Sequence, residues 1–339
     1  MTTKSVEGGK AMKNYRTLAL FAARSMLLAA LSVFAISLQA SEQHSAAAKT
    51  DAVRTLGLGF RSETASVNGT RIHYVRGGTG PAVILIHGFP QDWFEYHEIM
   101  PRLAKQFTVL AVDLRGVGGS AAMPDGYDAN SMAEDVYQLQ AQLKLERVYV
   151  VGHDIGGMVA YAFARLHPEA SRGVMILDVP LPGIDGWEEI QGHPAMWHVR
   201  FMQVPELPEK LVAGRQVDYF SYFFGFGKFS PDDIAHFASA YATPAQLHAV
   251  FQMYRAFPAN ARFNATRDTR MEVPLLLADG DRSPFAPLLP KQAADLRAKG
   301  CKDVETELIP GAIHYVVEDQ SDFVTSLIER KASQAANSQ

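Results

Sequence analysis

Apolar and polar positions follow two rhythms along this chain. Short, almost unbroken apolar runs recur as "AVILIHG" (82–88), "FTVLAVD" (107–113), "RVYVVGH" (147–153), "RGVMILDVP" (172–180) and "VPLLLADG" (273–280), with "VETELIPG" (304–311) closing the series. Runs of this kind predict strands buried on both faces, the habit of parallel sheets. Between them, "SMAEDVYQLQAQLKL" (131–145), "GGMVAYAFARLHP" (156–168) and residues 287–299 repeat their apolar positions at three- and four-residue spacing, which predicts helices. Residues 60–83 read differently. Asn68-Gly69 is a turn pair between "TASV" and "TRIHYV", and Gly77–Pro81 ends the second arm, so an antiparallel hairpin is expected ahead of the parallel run. Strands alternating with helices define an α/β fold, a mostly parallel sheet covered on both faces.

The rhythm breaks over residues 181–265. Aromatic residues and prolines crowd there, with helical patches and no buried-strand run. This predicts an α-helical cap inserted between two strands, a placement that makes the wall of a site. The core is thereby divided into 59–180 and 266–330. Residues 41–58 read as a linker and "KASQAANSQ" (331–339) as a frayed tail.

The start of the chain changes the picture of where it works. Lys4, Lys10, Lys13, Arg16 and Arg24 precede Met26–Leu38, an uncharged segment of 13 residues. A bilayer-spanning helix takes about 20 residues, so this segment has the length of a signal h-region. Residues 1–40 are expected to be a signal peptide cleaved after Ala40, giving an exported protein, periplasmic or secreted, with no membrane anchor left after processing. The chain has 32 basic and 36 acidic residues; without the first forty it has 27 and 35, a net of −8. No basic run stands out, which gives nucleic-acid binding no footing. The single cysteine, Cys301, excludes an intrachain disulfide. The histidines lack metal-ligand spacing and no G-x-G-x-x-G occurs, so no cofactor is expected.

The candidate chemistry centres on "VGHDIGG" (151–157). Its spacing is that of a nucleophile elbow, G-x-Nu-x-G, at a strand end that opens into a helix, with Asp154 in the nucleophile place. An N-capping Asp in an ordinary βα turn has the same local letters. Its company decides. "HGFP" (87–90) follows an earlier strand, so the amides of Phe89 and Ile155 are the expected oxyanion donors. "DLRGVGGS" (113–120) is a second glycine-rich strand exit, and "GAIHYVVE" (311–318) puts His314 after the last strand. Nucleophile first and histidine last is the chain order of such hydrolases. His153, next to the nucleophile, is read as elbow packing.

Together, "HGFP", "DLRGVGGS" and "VGHDIGG" resemble the α/β-hydrolase superfamily from about residue 60 to 330, in the branch with an aspartate nucleophile. That branch holds epoxide hydrolases and dehalogenases. A carboxylate attacks a saturated carbon and forms an alkyl ester, whose own carbonyl a histidine-activated water can then hydrolyse. Two places are open for the acid behind His314. Asp178, 24 residues past Asp154, matches the pattern of fluoroacetate dehalogenases and secreted Cif-type epoxide hydrolases; Asp281, after the strand that begins at Pro274, is the alternate. In the cap, "MWHVRFM" (196–202) and "FQMYRAF" (251–257) resemble segments that carry a His/Tyr pair on the epoxide oxygen, which implies His198 and Tyr254 here. Val199, Ile155 and Met158 stand where the dehalogenases carry Trp or Arg. The resemblance therefore implies an epoxide hydrolase that makes a vicinal diol from a small hydrophobic epoxide, with homodimerisation a family expectation. A dehalogenase of the same superfamily and a ligand-binding protein without turnover are the rivals.

Overall fold

The computed structural model describes residues 53–57, 59–266 and 271–337. The expected signal peptide and most of the expected linker lie outside them; residues 53–55 form a single helical turn. Among the described residues, eight strands make one sheet in the order β1-β2-β4-β3-β5-β6-β7-β8. β1 (Arg61–Val67) and β2 (Thr70–Gly77) are the antiparallel hairpin turned at Asn68-Gly69, and β2 lies antiparallel to β4 (Thr108–Val112). From there β3 (Ala82–Ile86), β5 (Val148–His153), β6 (Ser171–Leu177), β7 (Leu275–Gly280) and β8 (Val304–Ile309) continue in parallel. Every residue of β3, β5 and β7 is buried, as continuous apolar runs require when helices cover both faces.

Helix α1 (Ala129–Gln142) and helix α2 (Ile155–Leu166) pack on one another and against the sheet. Asp128 caps α1, its carboxylate accepting from the amides of Asn130 and Ser131. Residues 181–265 carry helices and no strand: Trp187–Gln191, α3 (Trp197–Gln203), Leu207–Val212, α4 (Gln216–Phe224), Pro231–Ser239, α5 (Pro244–Arg255) and Phe257–Asn264. After β7 come α6 (Leu289–Ala298) and, after β8, α7 (Ser321–Asn337).

Two boundaries depart from the pattern in the sequence. Residues 331–337 are not a frayed tail; they continue α7. Val324, Leu327, Ile328 and Ala332 form a buried stripe along that helix, and Lys331 Nζ lies 2.6 Å from Glu305 Oε1 of β8, so packing holds the last turns. β6 stops at Leu177 rather than running to residue 180, because Asp178 takes φ 46° and leaves the extended conformation.

Register positions the site. His153 of β5 stands opposite Leu177 of β6, and Leu177 opposite Ala278 of β7. Asp154 and Asp178, the residues that follow β5 and β6, therefore leave the sheet at one level, beside Asp279, which is still within β7. Ligand sites in such sheets lie outside the carboxyl ends of the strands.

Candidate active site

Asp154 sits at the joint between β5 and α2 with φ 48° and ψ −122°, a strained conformation that raises its side chain above the sheet edge. The glycines at two and two places away make that joint possible. A Cβ on Gly152 would lie 2.1 Å from the carbonyl oxygen of Gly156, and one on Gly156 would lie 2.1 Å from that of Ile86. Asp154 Oδ1 accepts the amide of Phe89 at 3.1 Å, from the loop after β3. Ile155 is the first residue of α2, where a backbone N–H has no partner within the helix. The Phe89 amide thus holds the carboxylate, while the Asp154 side chain makes no capping hydrogen bond to the start of α2.

His314 lies beyond β8. Its Nε2 is 4.0 Å from Asp154 Oδ2, too long for a hydrogen bond, while its Nδ1 is 2.7 Å from Asp178 Oδ2. Asp178 is fully buried, and its oxygens also accept the Gly280 amide at 2.9 Å and the Ser283 hydroxyl at 3.0 Å. Asp281 is turned elsewhere; its Oδ1 accepts the amide of Gly311 at 2.8 Å. The acid that meets His314 is the one after β6.

From the cap, Tyr254 of α5 and His198 of α3 enter the same cavity as Asp154 and His314. Their rings are 6.2 Å apart, and Tyr254 packs edge-on to Phe89 at 5.3 Å. Gln203 of α3 donates to the carbonyl of Tyr254 at 3.2 Å, tying the two helices together. Thr243 and Gln246 close a capping box at the start of α5, and Gln246 donates to the carbonyl of Gly118. Gly118 in turn donates to the carbonyl of Ala240. The "DLRGVGGS" turn therefore anchors the cap to the sheet. Burial, and after it the negative charge of Asp154, hold the Tyr254 phenol well above its ordinary pKa, so it keeps its proton. The cavity measures about 260 Å³ and is mostly apolar, with Phe223, Phe285 and Tyr315 among its walls.

A buried ionic group beneath the site was not legible in the sequence. Glu95, from the short turn after β3, accepts the amide of Gly88 at 2.9 Å and lies 3.1 Å from Nδ1 of His153. The Nε2 of His153 is 3.0 Å from the carbonyl oxygen of His314, and the two rings are 4.9 Å apart. His153 is thus more than packing: it bridges the oxyanion loop and the backbone of His314. Burial disfavours its cation, but Glu95, Asp154 and Glu318 outweigh that and raise its pKa to about 10. Burial and then the charge of Glu95 push Glu318 well above the usual carboxylate range. A histidine beside a nucleophile hints at such a role; nothing local marks Glu95 or Glu318. Among the described residues no cluster of three His, Cys, Asp or Glu side chains is placed to hold a metal.

A model of the α/β-hydrolase fold matches residues 81–321. The chain belongs to the α/β-hydrolase family. This α/β-hydrolase is 29% identical over 275 residues to a soluble epoxide hydrolase of Corynebacterium sp. strain C12, across 77% of this chain and 93% of the relative. It is 35% identical over 212 residues to a fluoroacetate dehalogenase of Burkholderia sp., across 58% of this chain and 69% of that one. The solved structure of the ligand-free epoxide hydrolase CorEH matches it with a TM-score of 0.73 at 28% identity, covering 81% of this chain and 99% of that one. The α/β-hydrolase expectation from the three motifs is met in the fold and in these relatives, which divide between two chemistries on one scaffold.

Proposed function

We propose that this α/β-hydrolase is an epoxide hydrolase working through an alkyl ester on Asp154. The supporting observation is that the Tyr254 phenol and the His198 ring enter the cavity that holds the Asp154 carboxylate. Epoxide opening needs a proton or hydrogen bond on the leaving oxygen, and positioned acids contribute roughly 10²–10⁴ in rate.

In this reading Asp154 Oδ2 attacks one epoxide carbon. The C–O bond breaks, and its electron pair goes to the ring oxygen, which takes a hydrogen bond and then a proton from the Tyr254 and His198 side. The new ester carbonyl keeps its oxygen toward the Phe89 amide and the Ile155 helix start. His314, oriented by Asp178, takes a proton from water, and the resulting hydroxide adds to the ester carbon. The tetrahedral oxyanion collapses, the leaving diol oxygen takes the proton from His314, and the water's second proton leaves the restored Asp154 carboxyl to replace the one given up on the Tyr254 and His198 side. One oxygen of the first diol thus comes from the protein. The mostly apolar walls favour a hydrophobic epoxide, and among the described residues no Arg or Lys lines the cavity to hold a haloacid carboxylate. The basic and then apolar start of the chain supports an exported enzyme.

The deciding experiment incubates a His314→Gln variant with styrene oxide and weighs the protein. The proposal expects a mass gain of one epoxide, removed by Asp154→Asn. Halide release from haloacetate by the wild type, with no diol from any epoxide, would establish the dehalogenase instead.

A further inference from the structure

Resting on the epoxide hydrolase reading, we infer that Trp197, Tyr222 and Phe226 form an outer subsite for an uncharged apolar tail on the substrate. Most aromatic rings at the cavity are buried: Phe89, Phe223 and Tyr254 are 5%, 7% and 3% exposed. At the mouth the pattern reverses. Trp197, Tyr222 and Phe226 are 42%, 49% and 51% exposed, and Ile313 across the opening is 36% exposed.

These three rings are one surface. Trp197 and Tyr222 have centroids 5.7 Å apart, and Tyr222 and Phe226 5.6 Å. The indole N–H of Trp197 donates to the Tyr222 hydroxyl at 3.3 Å, a long contact that pairs the polar side-chain atoms of the three rings with each other. Tyr222 and Phe226 also line the cavity, so the lip continues its wall outward without a break. A contiguous bare aromatic surface that begins at a reactive centre marks a ligand path.

Size and charge specify the occupant. At the ~30 Å³ that one water occupies in the liquid, a cavity of about 260 Å³ holds about nine non-hydrogen atoms. A terminal epoxide with a longer tail must pass the mouth and lie on the lip. Among the described residues, the ionisable side chains lining the cavity are Asp154, His198, His314 and three tyrosines, with no Lys or Arg to meet an anion. The tail that fits is therefore aliphatic or aryl-aliphatic and carries no ionised group at this depth.

The test is kcat/KM for 1,2-epoxyalkanes from butane to dodecane, each below its aggregation concentration. Full burial of a methylene corresponds to about fourfold and the half-exposed lip to about twofold per methylene. The wild type is expected to keep gaining about twofold per methylene past octane. In Tyr222→Ala/Phe226→Ala this late gain should vanish, and in Val217→Ala, on another exposed part of the cap, it should persist. The subsite is refuted by a wild-type rate that stops rising at octane, which needs no variant. An unchanged slope in the double variant, or one equal loss at every tail length, refutes it as well. Binding of the wild type to phosphatidylcholine vesicles that the double variant loses, with no change in slope, would make the lip a lipid-docking surface instead. Diol from no epoxide at all would remove the functional reading itself, whereas diol without tail dependence removes only the outer subsite.

Discussion

The Nδ1 of His314 lies 2.7 Å from Oδ2 of Asp178, across 136 positions of sequence, while Asp281 binds the amide of Gly311. Asp178→Asn would leave the ring in place but remove the charge that stabilises its protonated form. The expected loss in kcat is about 10³–10⁴, by analogy with removing the acid of a Ser-His-Asp triad. Ester should accumulate in rapid-quench mass spectra, because attack by Asp154 needs no base. Asp281→Asn is expected to stay within threefold of wild type. The reverse ranking would reassign the acid.

Tyr254→Phe removes the buried donor and keeps the ring that packs on Phe89 and Phe257. Ester formation, followed by stopped-flow fluorescence in single turnover, should slow by about 10²–10³. Hydrolysis of ester already formed should change by less than threefold. A defect confined to the hydrolysis step would move Tyr254 out of the ring-opening role.

Gly88→Ala tests the oxyanion loop. A Cβ at this position would lie 2.8 Å from both the Asp154 Cβ and the His153 Nδ1. Something must shift, and the neighbouring Phe89 amide is the group that shifts with the loop. Loss of about 10²–10³ in kcat/KM is expected, the usual cost of one oxyanion donor, with native circular dichroism. Retained activity would show that the loop yields without moving its amide.

Stability should fall on the alkaline side because of His153. Its folded pKa of about 10 exceeds the ordinary histidine value of 6.5. A raised pKa contributes stability that is complete below the unfolded value and is lost as pH rises through the folded one. Glu318, also raised, acts in the same direction. The melting temperature should therefore decline from about pH 6.5 to 10, and the decline should be shallower in His153→Gln. Equal slopes in the two proteins would mean that the buried ion pair is not what titrates.

The linear order of apolar runs, the Asn68-Gly69 turn and the two glycines around Asp154 determined much by themselves. They imply a hairpin followed by a parallel sheet with a helical insertion, because strand burial and tight-turn sterics are local demands. They also named Asp154, His314 and the Phe89 loop as one chemistry, since each sits where a strand must end. What needed the tertiary structure was every relation between distant segments. Asp178 and Asp281 both end or follow strands in the sequence, and only the left-handed turn at Asp178 and the register of β6 on β7 aim one of them at His314. The helical continuation to Asn337 depends on a stripe that finds its partners in the folded core. Glu95, His153 and Glu318 come from three separate segments, and a charge is stabilised inside a protein by partners that folding alone assembles. The aromatic lip has the same origin: the crowded aromatics of the cap implied apolar walls, and only folding left these three bare at the cavity mouth.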